Sequence, residues 1–125
     1  MADPRALVVE DDRDISELYG RGLESLGFET EIIRRGETAS ARLTAVVPAV
    51  VLLDLHLPGH VSGTDILRQI RADKRMTQTR VIIITGHPEL AEAIRDEADV
   101  VLNKPVDVEQ LGDLISRLHP RDRGD

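Results

Sequence analysis

Three features of this 125-residue sequence predict an α/β fold built on a doubly wound, five-stranded parallel sheet. First, Val50-Val51-Leu52-Leu53 and Val81-Ile82-Ile83-Ile84 are unbroken aliphatic runs, as is the shorter Val100-Val101-Leu102, the pattern of strands buried on both faces. Second, segments with apolar residues at helical spacing alternate with such runs along the chain. Third, Tyr19 and Phe28 are the only aromatic residues apart from the histidines, so the core must be aliphatic. The length suits one domain, 1–125, with a core of about 5–118 and a polar tail over 119–125.

In chain order, Leu7-Val8-Val9 forms a first short strand that runs into Glu10-Asp11-Asp12. Ile15, Leu18, Tyr19, Leu23 and Leu26 then mark a helix, with Asp12 or Asp14 as N-cap and Gly27 as its stop. Gly20 and Gly22 weaken it by propensity and permit close packing. Phe28 to Ile33 alternates, with Glu29 and Glu31 on one face, which suits an edge strand. Gly36 opens a weaker helix through Ala39, Leu43 and Val46 that stops before Pro48.

The central strand Val50–Asp54 delivers its charge into Leu55-His56-Leu57-Pro58-Gly59, where Pro-Gly marks a loop. Gly63 leads a helix carrying Ile66, Leu67 and Ile70. The strand Val81–Ile84 ends at Thr85-Gly86. Pro88 to Glu97 suits a short helix, with Pro88 in its first turn and Leu90 and Ile94 inward. Val100-Val101-Leu102 ends at Asn103-Lys104-Pro105. Val108, Leu111, Leu114, Ile115 and Leu118 give the clearest amphipathic stripe, and Pro120 ends that last helix. Right-handed crossovers then leave the flavodoxin-like strand order 2-1-3-4-5, with a shortened fourth helix.

Composition narrows the function classes. At 41% hydrophobic and 31% charged, the chain is globular rather than disordered. The net charge of −7, with no Lys/Arg block, argues against direct nucleic-acid binding. The lack of cysteine excludes disulfides and thiolate metal sites. No apolar run reaches membrane-spanning length and no signal-peptide pattern precedes the first strand, so a cytoplasmic location is expected.

Four polar clusters fall at the carboxyl ends of four strands: Glu10-Asp11-Asp12, Asp54, Thr85 and Lys104. In the expected order strands 1, 3, 4 and 5 are neighbours, so these groups converge where open α/β sheets bind ligands. Gathered carboxylates raise one another's pKa, and a hard divalent ion relieves this. Oxygen ligands without His or Cys favour Mg²⁺. Thr85 offers a hydroxyl and Lys104 a compact positive charge suited to phosphate. A carboxylate nucleophile, a metal and a lysine suit phosphoryl transfer to Asp. Taken singly, Asp54 reads as a turn residue, Thr85 as a helix N-cap and Lys104 as a snorkelling lysine. Their joint placement at strand ends is what those separate readings leave out.

On these residues the chain resembles the receiver domains of two-component response regulators, from Arg5 to about Leu118. The matching stretches are Leu7-Val8-Val9-Glu10-Asp11, Val51 to Gly59, Ile83-Ile84-Thr85-Gly86 and Lys104-Pro105. The resemblance implies that Asp54 is the phospho-acceptor, receiving its phosphoryl group from a histidine kinase or a histidine phosphotransfer protein. It implies that Asp11, Asp54 and the main-chain carbonyl of His56 bind Mg²⁺, with Glu10 acting through metal-bound water. Thr85 becomes the switch hydroxyl, and Lys104, followed by a cis peptide to Pro105, contacts a phosphoryl oxygen. Asp12 is read as a helix cap. The expected chemistry is limited to Mg²⁺-dependent self-phosphorylation and self-dephosphorylation, so the chain is not expected to be an enzyme in its own right. No sequence follows Leu118 for an output domain. The signal is therefore expected to pass to another protein, unless the chain is cut from a longer one such as a hybrid kinase.

Three positions depart from the pattern this resemblance implies. Val101 stands where Tyr or Phe is usual, which removes the aromatic partner of the switch hydroxyl. Thr85 and Lys104 are nineteen positions apart, about one helical turn closer than expected. His56 and His87, each two residues beyond a site residue, stand where the resemblance implies side chains overhang the phosphorylation site, either to pair with phosphate or as exposed loop residues. Two rival readings are a small Mg²⁺-dependent phosphohydrolase and an interaction module that is never phosphorylated. The first lacks a candidate lid insertion, and the second does not account for the full acidic and lysine set.

Overall fold

The computed structural model describes residues 3–119, so the polar tail beyond His119 lies outside the described residues. Five strands, β1 (Arg5–Val9), β2 (Glu29–Ile33), β3 (Val50–Asp54), β4 (Arg80–Thr85) and β5 (Val100–Asn103), form one sheet in the order β2-β1-β3-β4-β5. All four pairings are parallel, as the aliphatic runs predict. Side chains alternate across the sheet with the period of two that a pleated strand imposes. Leu7, Val9, Val51, Leu53, Val81 and Ile83 line one face, and Ala6, Val8, Val50, Leu52, Ile82 and Ile84 the other.

Helices α1 (Arg13–Ser25) and α5 (Val108–Leu118) cover the second face through Tyr19, Leu23, Leu111 and Ile115. The first is covered by α2 (Gly36–Arg42), α3 (Gly63–Ala72) and α4 (Pro88–Ala91), through Ala39, Ile66, Leu67, Ile70 and Ala91. The Asp12 carboxylate caps α1, accepting from Ile15 N at 2.9 Å. Gly20 lets α1 approach β2, since a Cβ there would meet Ile32 Cδ1 at 3.0 Å.

Several expectations shift at the periphery. Leu18 is 48% exposed, because it lies about 100° of helical rotation from Tyr19, on the side away from Ser16, Gly20 and Leu23. The second helix ends at Arg42 and continues as turns, short of Val46. Pro88–Glu97 is not one helix: a single turn, α4, passes into a 3₁₀ segment over Glu92–Glu97. Ala91 and Ile94 hold it down, whereas Leu90, expected inward, is 50% exposed. Val100, Val101 and Leu102 of the edge strand β5 are only half-buried; Val101 lies on the face that this short segment covers, and Leu102 on the opposite face toward α5. Arg71 secures the far end of this segment. Its guanidinium donates to Glu97 O at 2.7 Å and Thr79 O at 3.0 Å, and pairs with Asp99 Oδ2 at 2.8 Å.

Candidate functional site

The crevice opens at the carboxyl ends of β1 and β3, where the strand order reverses. Val9 pairs with Leu53, so the next residues, Glu10 and Asp54, emerge side by side. Asp54 also pairs with Ile84, and Thr85 with Asn103, which brings Thr85 and Lys104 to the same rim. Parallel pairing in register therefore gathers all four clusters predicted from the strand ends. Gly63 is required here, because a Cβ on it would collide with the carbonyl oxygen of Asp54 and with Leu55. Sequence reasoning placed Gly63 only as a helix start.

Glu10, Asp11 and Asp54 each offer a carboxylate oxygen, all within 4.8 Å of one another. Glu10 and Asp54 are buried and Asp11 is exposed, so the group is reached from one side. Lys104 Nζ stands 2.9 Å from Glu10 Oε1 and 3.4 Å from Asp54 Oδ2. Asp12 N donates to Glu10 Oε2 at 3.1 Å, and His56 N to Asp54 Oδ1 at 3.0 Å. The lysine is thus committed to the carboxylates rather than snorkelling to solvent. Its peptide bond to Pro105 is cis, as the resemblance implies, and its N–H donates to Thr85 O at 2.8 Å.

Burial pushes the Glu10 carboxyl up to about 7, and Asp54 adds to this, while Lys104 and the Asp12 N–H act in the opposite direction. Burial by itself would lower the Lys104 ammonium, yet Glu10 and Asp54 hold it above its ordinary value. Glu10 Oε1 remains without a hydrogen bond of good geometry despite the nearby ammonium. Three converging carboxylates, with Asp11 open to solvent, fit a hard divalent cation with oxygen ligands.

Thr85 is fully buried, and its hydroxyl is engaged locally. It accepts from His87 N at 2.9 Å and lies 3.3 Å from His87 O, to which it donates. It does not cap α4, whose N-cap, His87, provides no side-chain bond. Val101 packs beside the core on the α3 face. His56 and His87 are both exposed, with ring centroids 6.0 Å apart and planes tilted by 50°. Sequence reasoning missed Glu37, which accepts from His60 N at 3.2 Å and so holds the loop after Asp54 from α2. A contact between residues 23 positions apart leaves no local signal.

Fold and site define a doubly wound α/β domain that presents an acidic, lysine-flanked crevice at its topological switch point. The chain belongs to the response regulator receiver domain family, whose model matches residues 6–116. It is therefore a receiver domain of two-component signalling. The phosphate regulon transcriptional regulatory protein PhoB of Rhizobium meliloti is 35% identical over an alignment of 111 residues that covers 86% of this chain and 48% of that protein. The chain thus spans about half the length of this relative. A receiver domain from Methylobacillus flagellatus is structurally similar, with a TM-score of 0.82 and 26% identity over 94% of this chain and 100% of that one. The receiver domain of a sensor histidine kinase from Pseudomonas aeruginosa PAO1 shares the fold, with a TM-score of 0.78 and 23% identity over 94% and 98% of the two chains. That structure has a magnesium ion coordinated in its active site cleft. No helix among the described residues is long and apolar enough to cross a membrane.

Proposed function

We propose that Asp54 accepts a phosphoryl group from the phosphohistidine of a histidine kinase or histidine phosphotransfer protein. The observation that carries this reading is the Asp54 carboxylate, buried at the end of β3 beside Lys104 and within 4.8 Å of two further carboxylates. In the transfer a carboxylate oxygen of Asp54 forms a bond to phosphorus as the phosphorus–nitrogen bond of the donor breaks. The imidazole leaves and takes up a proton. Lys104, 3.4 Å from Asp54, is placed to offset charge on the phosphoryl oxygens. Asp11, Asp54 and the His56 carbonyl would hold Mg²⁺, with Glu10 reached through water. When bound, the ion supplies charge neutralisation for the incoming phosphoryl oxygens. Thr85 is the hydroxyl that responds, at the cost of its two bonds to His87.

Hydrolysis of the acyl phosphate returns Asp54 to its carboxylate, so the chemistry is confined to the protein's own phosphorylation. It includes no separate small-molecule substrate. The relative's role in transcription belongs to a protein about twice as long. The output of this domain passes through contact with a partner surface, whether on another protein or elsewhere in a longer chain, and the strongly negative charge opposes direct nucleic-acid binding by the domain itself.

Incubation with Mg²⁺ and a small phosphodonor, followed by intact mass measurement, tests the assignment. One phosphoryl adduct is expected on the parent and none on Asp54→Ala, with the fold retained. An adduct that forms on Asp54→Ala at the parent rate places the acceptor elsewhere. Turnover of an added phosphoester without an adduct would indicate a phosphohydrolase instead.

A further inference from the structure

The His56–His87 pair is not used in the phosphoryl chemistry above, and its geometry has a chemistry of its own. We propose that His56 and His87 form a second metal site, for a borderline divalent ion of the Zn²⁺ class, across the mouth of the Asp54 crevice. Both rings project from loops that follow paired strands, β3 and β4, whose register is fixed by Asp54 opposite Ile84. With zinc–nitrogen bonds of about 2.0–2.1 Å, a ring centroid stands about 3.2 Å from the ion. Two rings on one tetrahedral ion are then about 5.2 Å apart, and about 6 Å apart when the angle opens. The centroids here are separated by 6.0 Å, within the span of two rings on one ion, and both rings are exposed and free to turn a nitrogen inward.

A second observation points the same way. His87 Nδ1 lies 3.4 Å from Glu89 Oε1, so a carboxylate stands within reach to accept from Nδ1 and leave Nε2 for the metal. Glu10, Asp11 and Asp54 make the neighbourhood anionic, with Lys104 as their close cationic partner. Imidazole suits Zn²⁺, Cu²⁺ and Ni²⁺, whereas Mg²⁺ selects the oxygen-only cluster, so the two sites differ in ligand type. No third histidine or carboxylate joins the pair in a ligand cluster among the described residues, and water would complete the coordination.

The consequence for switching, which rests on the phospho-acceptor reading, follows from the Thr85 hydroxyl. It is bound to the main chain of His87 at 2.9 and 3.3 Å. An ion that fixes His87 against His56 also holds that hydroxyl in its turn, away from Asp54. The site would therefore oppose activation.

The test is a Zn²⁺ titration of the protein in excess Mg²⁺, followed by calorimetry and by imidazole resonances. One Zn²⁺ per chain should bind, moving the His56 and His87 signals, with affinity lowered about tenfold or more in His87→Ala. Unmoved histidine signals, equal affinity in His87→Ala, or a loss in Asp11→Asn as large as that in His87→Ala would overturn the site. In a second arm, phosphoryl uptake from a small donor is compared with and without Zn²⁺. The ratio should fall several-fold in the parent and stay near one in His87→Ala, and a ratio of one in the parent overturns the regulatory consequence. If no uptake occurs even without Zn²⁺, the receiver chemistry fails, while the binding arm still decides the metal site.

Discussion

Replacing Glu10 with Gln should remove a large part of the pH dependence of stability in the metal-free protein. Glu10 is 2% exposed, and burial sets its carboxyl at about 7 against 4.5 in the unfolded chain. A folded-state pKa above the unfolded value means that the native state holds the proton more tightly. The resulting stabilisation is complete below about pH 4.5 and is lost as pH rises through about 7. The full difference corresponds to about 3 kcal/mol, most of which disappears between about pH 5 and pH 8. For a domain of this size that is a fall in Tm of roughly 10 °C. Gln keeps the shape and cannot ionise, although it weakens the contact with Lys104 and so shifts absolute stability as well. The informative quantity is therefore the slope. Urea or thermal melts in chelator should show the parent losing stability from about pH 5 to pH 8 and Glu10→Gln losing roughly 2–3 kcal/mol less. Added Mg²⁺ should stabilise the parent increasingly as pH rises, because the ion favours ionised Glu10. Parallel pH profiles for the two proteins would refute the argument, and with it the claim that this carboxyl is held protonated by burial.

Replacing both His56 and His87 with Ala should change the dephosphorylation rate of phospho-Asp54 several-fold with little change in Mg²⁺ affinity; equal decay rates would show that neither ring takes part in the hydrolysis. Hydrogen exchange with and without beryllofluoride should show its largest change over 86–97, where one helical turn and a 3₁₀ segment are anchored by Ala91 and Ile94. The α5 helix should change less, and protection over 86–97 already equal to that of β3 before activation would contradict this. Arg71→Ala should destabilise the protein by roughly 2–3 kcal/mol in urea unfolding, since it removes three charge-assisted bonds and leaves Asp99 without its closest cation. A loss below about 0.5 kcal/mol would show that Arg80, 3.3 Å from Asp99, suffices.

Residue order by itself determined the sheet and the location of the crevice. Unbroken aliphatic runs cannot be solvated on either face, and helical stretches between them allow only parallel crossovers. Once the strand order follows, Glu10, Asp11, Asp54, Thr85 and Lys104 must meet, because each stands at the carboxyl end of a strand or within two residues beyond it. The Asp12 cap was equally legible, being a local bond from a side chain to an amide three residues on.

Tertiary structure decided the rest. Leu18 and Leu90 have the composition of core residues, but burial depends on which element faces them, and α1 and α4 turn them to solvent. The shortened interval before Lys104 indicated a reduced fourth helix, yet only packing split it into a turn of α-helix and a 3₁₀ segment pinned by Arg71. The Thr85 hydroxyl bonded to His87, the ring pair of His56 and His87, and the grip of Glu37 on His60 are contacts between groups whose orientation no spacing encodes. The charge state of Glu10 is the clearest case. Its carboxyl is ordinary in the sequence, and only its removal from water, beside one lysine and one aspartate, moves it toward neutrality, because desolvation and Coulomb energies depend on distance and burial rather than on residue order.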